Sequence, residues 1–113
     1  MSGAAHAPVL AVIATLSCRD LDASVEWYQH LFGRPPTAHP GEGVVEWHFG
    51  ESAGVQLRAN AGLAGQGRLT LVVADIRADA ARLGIAGATE VGAARLLQLR
   101  DPDDNLVVLA QAV

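Results

Sequence analysis

The feature that most constrains this chain is an internal repeat at about half its length. Asp20-Leu21 follows one branched apolar run, Asp75-Ile76 follows another, and the spacing after them matches, with Val25 opposite Ala80 and Tyr28 opposite Leu83. The first copy opens on Val9 to Cys18, rich in branched side chains and too short for a typical helix, which suits a strand buried on both faces. Asp20 then supplies helix-start chemistry, and Leu21, Val25, Tyr28 and Phe32 recur on one helical face until Gly33 and Pro35-Pro36 end it. A short strand is expected near Arg34 to His39, then strands at Val44 to Phe49 and Gly54 to Arg58 around the turn Gly50-Glu51-Ser52-Ala53. The second copy repeats the order, with a strand from Arg68 to Ala74, a helix opened by Asp75 and closed by Gly87, and strands near Thr89 to Val91, Arg95 to Arg100 and Asn105 to Gln111.

These boundaries predict an α+β fold of two βαβββ modules in one domain over residues 9–113. Module 1 spans about 9–58, a Gly/Ala-rich linker about 59–67 and module 2 about 68–112, behind a flexible tail at 1–8. At 113 residues the chain has room for one core and not for two independent domains. One helix per sheet covers only one sheet face, so the other must meet a ligand, a partner or water.

Composition removes several chemistries. All eight basic residues are arginine, so neither Schiff-base chemistry nor a P-loop is available. A formal charge of −4 argues against a nucleic-acid partner, and no apolar run is long enough for a membrane span. The single cysteine, Cys18, and an N-terminus without the features of a signal peptide lead us to expect a cytoplasmic protein. The histidines at 6, 30, 39 and 48 show no spacing that puts two on one metal-binding face.

Two segments carry a family resemblance. Asp20-Leu21-Asp22-Ala23-Ser24-Val25-Glu26-Trp27-Tyr28 leading to Leu31-Phe32-Gly33, and Asp101-Pro102-Asp103-Asp104-Asn105-Leu106-Val107-Val108-Leu109, in this order and with the repeat between them, resemble the vicinal oxygen chelate superfamily. That group includes glyoxalase I, fosfomycin-modifying enzymes, extradiol dioxygenases and bleomycin-resistance proteins. The resemblance covers about Val9 to Ala112 and implies a cupped mixed sheet, commonly completed by a second chain. One departure is Asp104, where glycine is usual; aspartate tolerates the left-handed backbone such a turn requires.

A larger departure concerns metal. The resemblance assigns metal ligands to places that Ile13, Gln56, Arg68 and Val108 occupy here. Two are hydrocarbons, one is a neutral amide and one a permanent cation, so no metal and no cofactor is expected. A one-residue slip at Arg68 or Val108 restores no ligand.

The remaining polar residues define a candidate ligand site of Gln56, Arg58, Arg68, Trp47 and Gln98, with Glu46 and His48 as candidate catalytic residues. Glu46 and His48 share one strand face, and Val45, Trp47 and Phe49 the other. If the first set faces the cavity it forms an acid-base pair; if the second does, it forms an aromatic platform. Both orientations stay open at this level, as does the ordinary one in which the apolar set packs under the helix. Arg58 and Arg68 suit an anionic or carbonyl-rich ligand, or ion pairing with Glu46.

The reading is a metal-independent, homodimeric protein that holds a small organic ligand, similar to the bleomycin-resistance branch. The alternatives are a metal-free isomerase or lyase on a small carbonyl metabolite, a structural dimer, and a metal-dependent glyoxalase-like enzyme should the strand register differ.

Overall fold

The computed structural model describes residues 7–85, 89–91 and 94–112, with side chains described outside 89–91. The elements run β1 (Val12–Cys18), α1 (Leu21–Phe32), β2 (Ala38–Gly41), β3 (Val44–Phe49), β4 (Ala53–Ala59), β5 (Arg68–Val72), α2 (Ile76–Leu83), β6 (Thr89–Val91), β7 (Ala94–Arg100) and β8 (Leu106–Ala112). They form two four-stranded sheets of identical topology, β1-β4-β3-β2 and β5-β8-β7-β6. In each, the first and last strands run parallel and the remaining neighbours antiparallel. The α+β architecture of two βαβββ units is as expected.

Both helices start by the same device. The Asp20 carboxylate accepts from Ala23 N at 3.2 Å and the Asp75 carboxylate from Ala78 N at 3.1 Å, satisfying amides that the first turn leaves free. Gly33 closes α1 in the left-handed conformation, φ 74°. For α2 the closing glycine is Gly84, φ 69°, rather than Gly87, because the apolar face ends at Leu83; Gly87 lies outside the described residues. Other boundaries move as well. The first strand begins at Val12 rather than Val9, where pairing with Ala53 starts, and is buried on one face, at Leu16 and Cys18, rather than on both; the second lies at Ala38–Gly41 rather than 34–39, because Arg34 to Thr37 carry the chain away from Gly33. The tail expected at 1–8 falls outside the described residues up to position 6.

Strand alternation sorts the side chains. Leu16, Val45, Trp47, Val55 and Leu57 pack beneath α1, and Leu69, Leu97, Leu99, Val107 and Leu109 beneath α2, in one continuous core. The opposite, open face of the first sheet carries Thr15, Glu46, His48, Gln56 and Arg58, and that of the second carries Arg68, Thr70, Val72, Gln98 and Val108. These open faces do not cover each other within one chain. The sheets touch along β1 and β5, and the molecule is long, 55 × 36 × 24 Å with a radius of gyration of 16.0 Å. A compact chain of this length has a radius of about 13 Å.

The two modules are locked by the turn before β8. Asn105, fully buried, donates through Nδ2 to Ser17 O (3.0 Å) and to Asp101 Oδ2 (2.8 Å), and its Oδ1 accepts from Gly67 N (2.7 Å). Asp101 Oδ2 also accepts from the hydroxyl of fully buried Tyr28 at 2.7 Å. Asp103 accepts from Arg19 N at 3.1 Å and from Ser24 Oγ at 3.4 Å. The two sequence segments that carry the resemblance are thus each other's partners. Burial first, and then the Asp101 carboxylate, push the Tyr28 hydroxyl far above its ordinary range, so it stays a donor. Asp104 takes φ 72° in this turn, the left-handed conformation expected of it. The linker after β4 also docks here rather than lying free. Gly65, φ 85°, sits so close to the Asp103 carbonyl that a Cβ would lie 2.5 Å from it.

Candidate functional site

Strand β3 decides the site. Its alternation sends Val45, Trp47 and Phe49 toward α1, where Trp47 is fully buried with its ring centroid 5.2 Å from Phe32 and its Nε1 donating to Arg34 O at 2.9 Å. Trp47 is therefore a core residue and not part of a ligand platform; the expectation that it contributes to the ligand site is corrected. Its ring supplies the large apolar surface that α1 needs on that face.

Glu46 and His48 point the other way. Antiparallel pairing sets Glu46 opposite Gln56, and side chains line up across the open face. His48 Nε2 lies 2.9 Å from Glu46 Oε1, Gln56 Nε2 donates to Glu46 Oε2 at 2.6 Å, and Arg58 Nη2 donates to Gln56 Oε1 at 3.2 Å. Glu46 is 7% exposed and has both carboxylate oxygens engaged, so it anchors the line, whereas Arg58 and much of His48 face solvent. Arg58 pairs with Gln56 and not with Glu46. The hydrogen bond from His48, and then that from Gln56, hold the Glu46 carboxyl below its ordinary value.

This direction fixes a pH dependence. A carboxyl whose folded pKa is depressed contributes stability that is fully present above its unfolded value and is lost as pH falls through the folded one. Wild type and Glu46→Gln are expected to differ in urea midpoint at pH 7 and to converge as pH falls below the ordinary carboxylate range. Unfolding curves at stepped pH check this, and a constant difference down to the acid limit contradicts it.

The other candidates sit apart from this line. Arg68 and Gln98 are exposed on the open face of the second sheet, with Gln98 in register with Val108 and, through it, Thr70. No hydrogen bond among the described residues joins them to the Glu46 line. Arg100 is turned to its own loop, donating to Asp104 O at 3.2 Å. Cys18 is buried with its thiol 3.6 Å from Arg58 O, and burial pushes its pKa up, opposite to what a nucleophile needs. Exposed His30 and His39 lie outside the line.

Ile13, Gln56, Arg68 and Val108 are all on open faces, but they offer two hydrocarbons, an amide already bonded to Glu46, and a guanidinium. That donor set does not fit a divalent cation. Among the described residues no three His, Cys, Asp or Glu side chains converge on a common point.

A family model described as a glyoxalase-like domain matches residues 13–110. The chain belongs to that family. The glyoxalase-like domain thus places it in the vicinal oxygen chelate superfamily, as the two motifs imply. No curated protein sequence matches it. Among solved structures, a glyoxalase/bleomycin resistance protein from Catenulispora acidiphila is 25% identical with a TM-score of 0.82, over 92% of this chain and 99% of that one. TnmS3, an antibiotic-binding protein from a Streptomyces species, is 22% identical with a TM-score of 0.76 over the whole of both chains. A bleomycin-binding protein solved with bleomycin is 20% identical with a TM-score of 0.69, over 90% of this chain and 98% of that one. No helix among the described residues is long and apolar enough to cross a membrane.

Proposed function

We propose that this glyoxalase-like domain is a cytoplasmic, metal-independent protein that binds a small organic ligand on the open sheet faces, with a second copy closing the site. The observation that carries the reading is the line His48, Glu46, Gln56, Arg58, held in place before any ligand arrives by one buried carboxylate. Such preorganisation suits recognition, because the donors need no reordering on binding. Arg58 on this face, with Arg68 and Gln98 on the other sheet, favours an anionic or carbonyl-rich ligand. Two proteins of this fold, the antibiotic-binding and bleomycin-binding ones, hold organic molecules. The exposed open faces and the length of the chain support a homodimer in which one copy's first sheet meets the other's second, and the two modules then work as a single ligand-binding domain.

A second reading rests on the 2.9 Å contact between His48 and Glu46. A histidine whose Nε2 is bonded to a buried carboxylate presents Nδ1 as a base, which suits a metal-free isomerase or lyase step beside a carbonyl.

One experiment addresses both. Thermal unfolding of untagged protein is followed with divalent metals, small organic acids and planar antibiotics, in D2O for the carbonyl compounds, beside light scattering of the protein alone. The expected result is a mass near twice 11.7 kDa, no rise with metals and a rise with one organic class. Deuterium incorporation into a carbonyl compound that survives chelators selects the second reading. Near-stoichiometric metal in the purified protein overturns both.

A further inference from the structure

The internal repeat makes one comparison possible within the chain itself. Registers Thr15 with Gln56 and Thr70 with Val108 align the modules, so Asp101 corresponds to Phe49, Asn105 to Ala53, Ser24 to Asp79, and Ser17 to Val72. At one of the two equivalent intermodule contacts, Ser17 and Ser24 of the first module and Asp101 and Asn105 of the second build a filled, hydrogen-bonded packing around Asn105. At the other contact a phenyl ring and a methyl group stand where Asp101 and Asn105 would. A cavity of about 430 Å³ stands there, lined by Phe49, Ala53, Val72 and Asp79 together with Phe32 and Leu71. It lies between the modules, where β5 is a sheet edge, and apart from the line of Glu46, His48, Gln56 and Arg58.

The walls are mainly apolar, with Thr70, Asp79 and Arg82 as the polar members, and the size falls within the roughly 300–1,000 Å³ of small-molecule pockets. Two charged groups stand at the cavity. The Arg82 guanidinium donates mainly away from the cavity, to His30 O at 2.6 Å and to Leu31 O at 2.7 Å, capping the carbonyl end of α1. Asp79 has only a 3.5 Å contact from Arg82 Nη2 to one oxygen, and its other oxygen has no partner among the described residues. The acceptors left beside the apolar walls are therefore the Asp79 carboxylate and the Thr70 hydroxyl, and of these only the carboxylate carries charge.

We infer that this intermodule cavity is a second binding site, for a small apolar molecule that carries an ammonium group. The hydrocarbon or ring fills the space between Phe32, Phe49 and Leu71, and the ammonium donates to Asp79. The site meets the open face of the second sheet at Thr70 and Val72 but shares no residue with the line of Glu46, His48, Gln56 and Arg58.

Phenethylamine, 2-phenylethanol and 3-phenylpropionate share one body and differ in the end group, and serve as probes by titration of backbone amide resonances. Phenethylamine is expected to shift Val72, Val73 and Asp79 and to leave Glu46 and Gln56 in place. It should bind about tenfold more tightly than 3-phenylpropionate, the ratio that one charge-assisted contact produces. Asp79→Asn, at a partly exposed helix position, should remove that preference while keeping binding of the alcohol. Ala53→Trp should abolish binding of all three, with amide dispersion confirming that the variant is folded. Equal binding of amine and carboxylate, shifts confined to Glu46, His48, Gln56 and Arg58, or no shift at any soluble concentration overturns the assignment.

Discussion

Asn105→Ala is expected to lower unfolding free energy by about 3–5 kcal/mol. Its amide makes three hydrogen bonds from a fully buried position, to Ser17 O, Gly67 N and Asp101 Oδ2. Alanine removes the bonds to Ser17 O and Gly67 N and one of the two bonds to Asp101 Oδ2, and each buried group left short of a partner costs roughly 1–3 kcal/mol. Net stabilities of domains are about 5–15 kcal/mol, so the variant would sit near the edge of folding. Urea unfolding checks this: the midpoint should fall with the slope unchanged, because the same surface is exposed. Tyr28→Phe, which removes a single 2.7 Å bond to Asp101, should cost only about 1–2 kcal/mol. A cycle of Tyr28→Phe with Asp101→Asn should show coupling between the modules. A loss below about 1 kcal/mol for Asn105→Ala would mean that water substitutes for the amide and that the turn is not a lock.

Trp47→Ala should cost about 3–5 kcal/mol by a different mechanism, the cavity left where an indole fills the space beneath α1. Trp47 touches Phe32 and Tyr28 at ring-centroid distances of 5.2 and 6.3 Å and is fully buried. Trp47→Phe is the informative companion. It loses the 2.9 Å bond to Arg34 O and some volume, so it should destabilise by less, about 1–3 kcal/mol, and leave ligand binding on the open face unchanged. Denaturation with a parallel ligand titration measures both. Loss of ligand affinity in a folded Trp47→Phe variant would show that the ring reaches the site, contrary to its place in the core.

The sequence made the modular organisation legible because it depends on local and periodic signals. Asp20 and Asp75 cap helices by reaching their own first turn, Gly33 ends a helix by its own φ, and alternation along β3 separates Glu46 and His48 from Trp47 without reference to any neighbour. The α2 terminus is not legible in the same way, because two glycines compete and only packing of Leu83 selects Gly84. The donor chemistry at Ile13, Gln56, Arg68 and Val108 is likewise a property of residue types, and no folding changes a hydrocarbon into a ligand.

Tertiary structure alone decided which side of β3 faces the helix, since alternation defines two faces but not their direction. It joined Glu46 to Gln56 and Gln56 to Arg58 through the pairing of β3 with β4, and it separated Arg68 and Gln98 from them by placing these on another sheet. It also brought Tyr28 to Asp101, 73 positions apart in the chain. Contacts of that separation depend on where whole sheets dock, and docking follows the summed burial of many side chains rather than any local pattern.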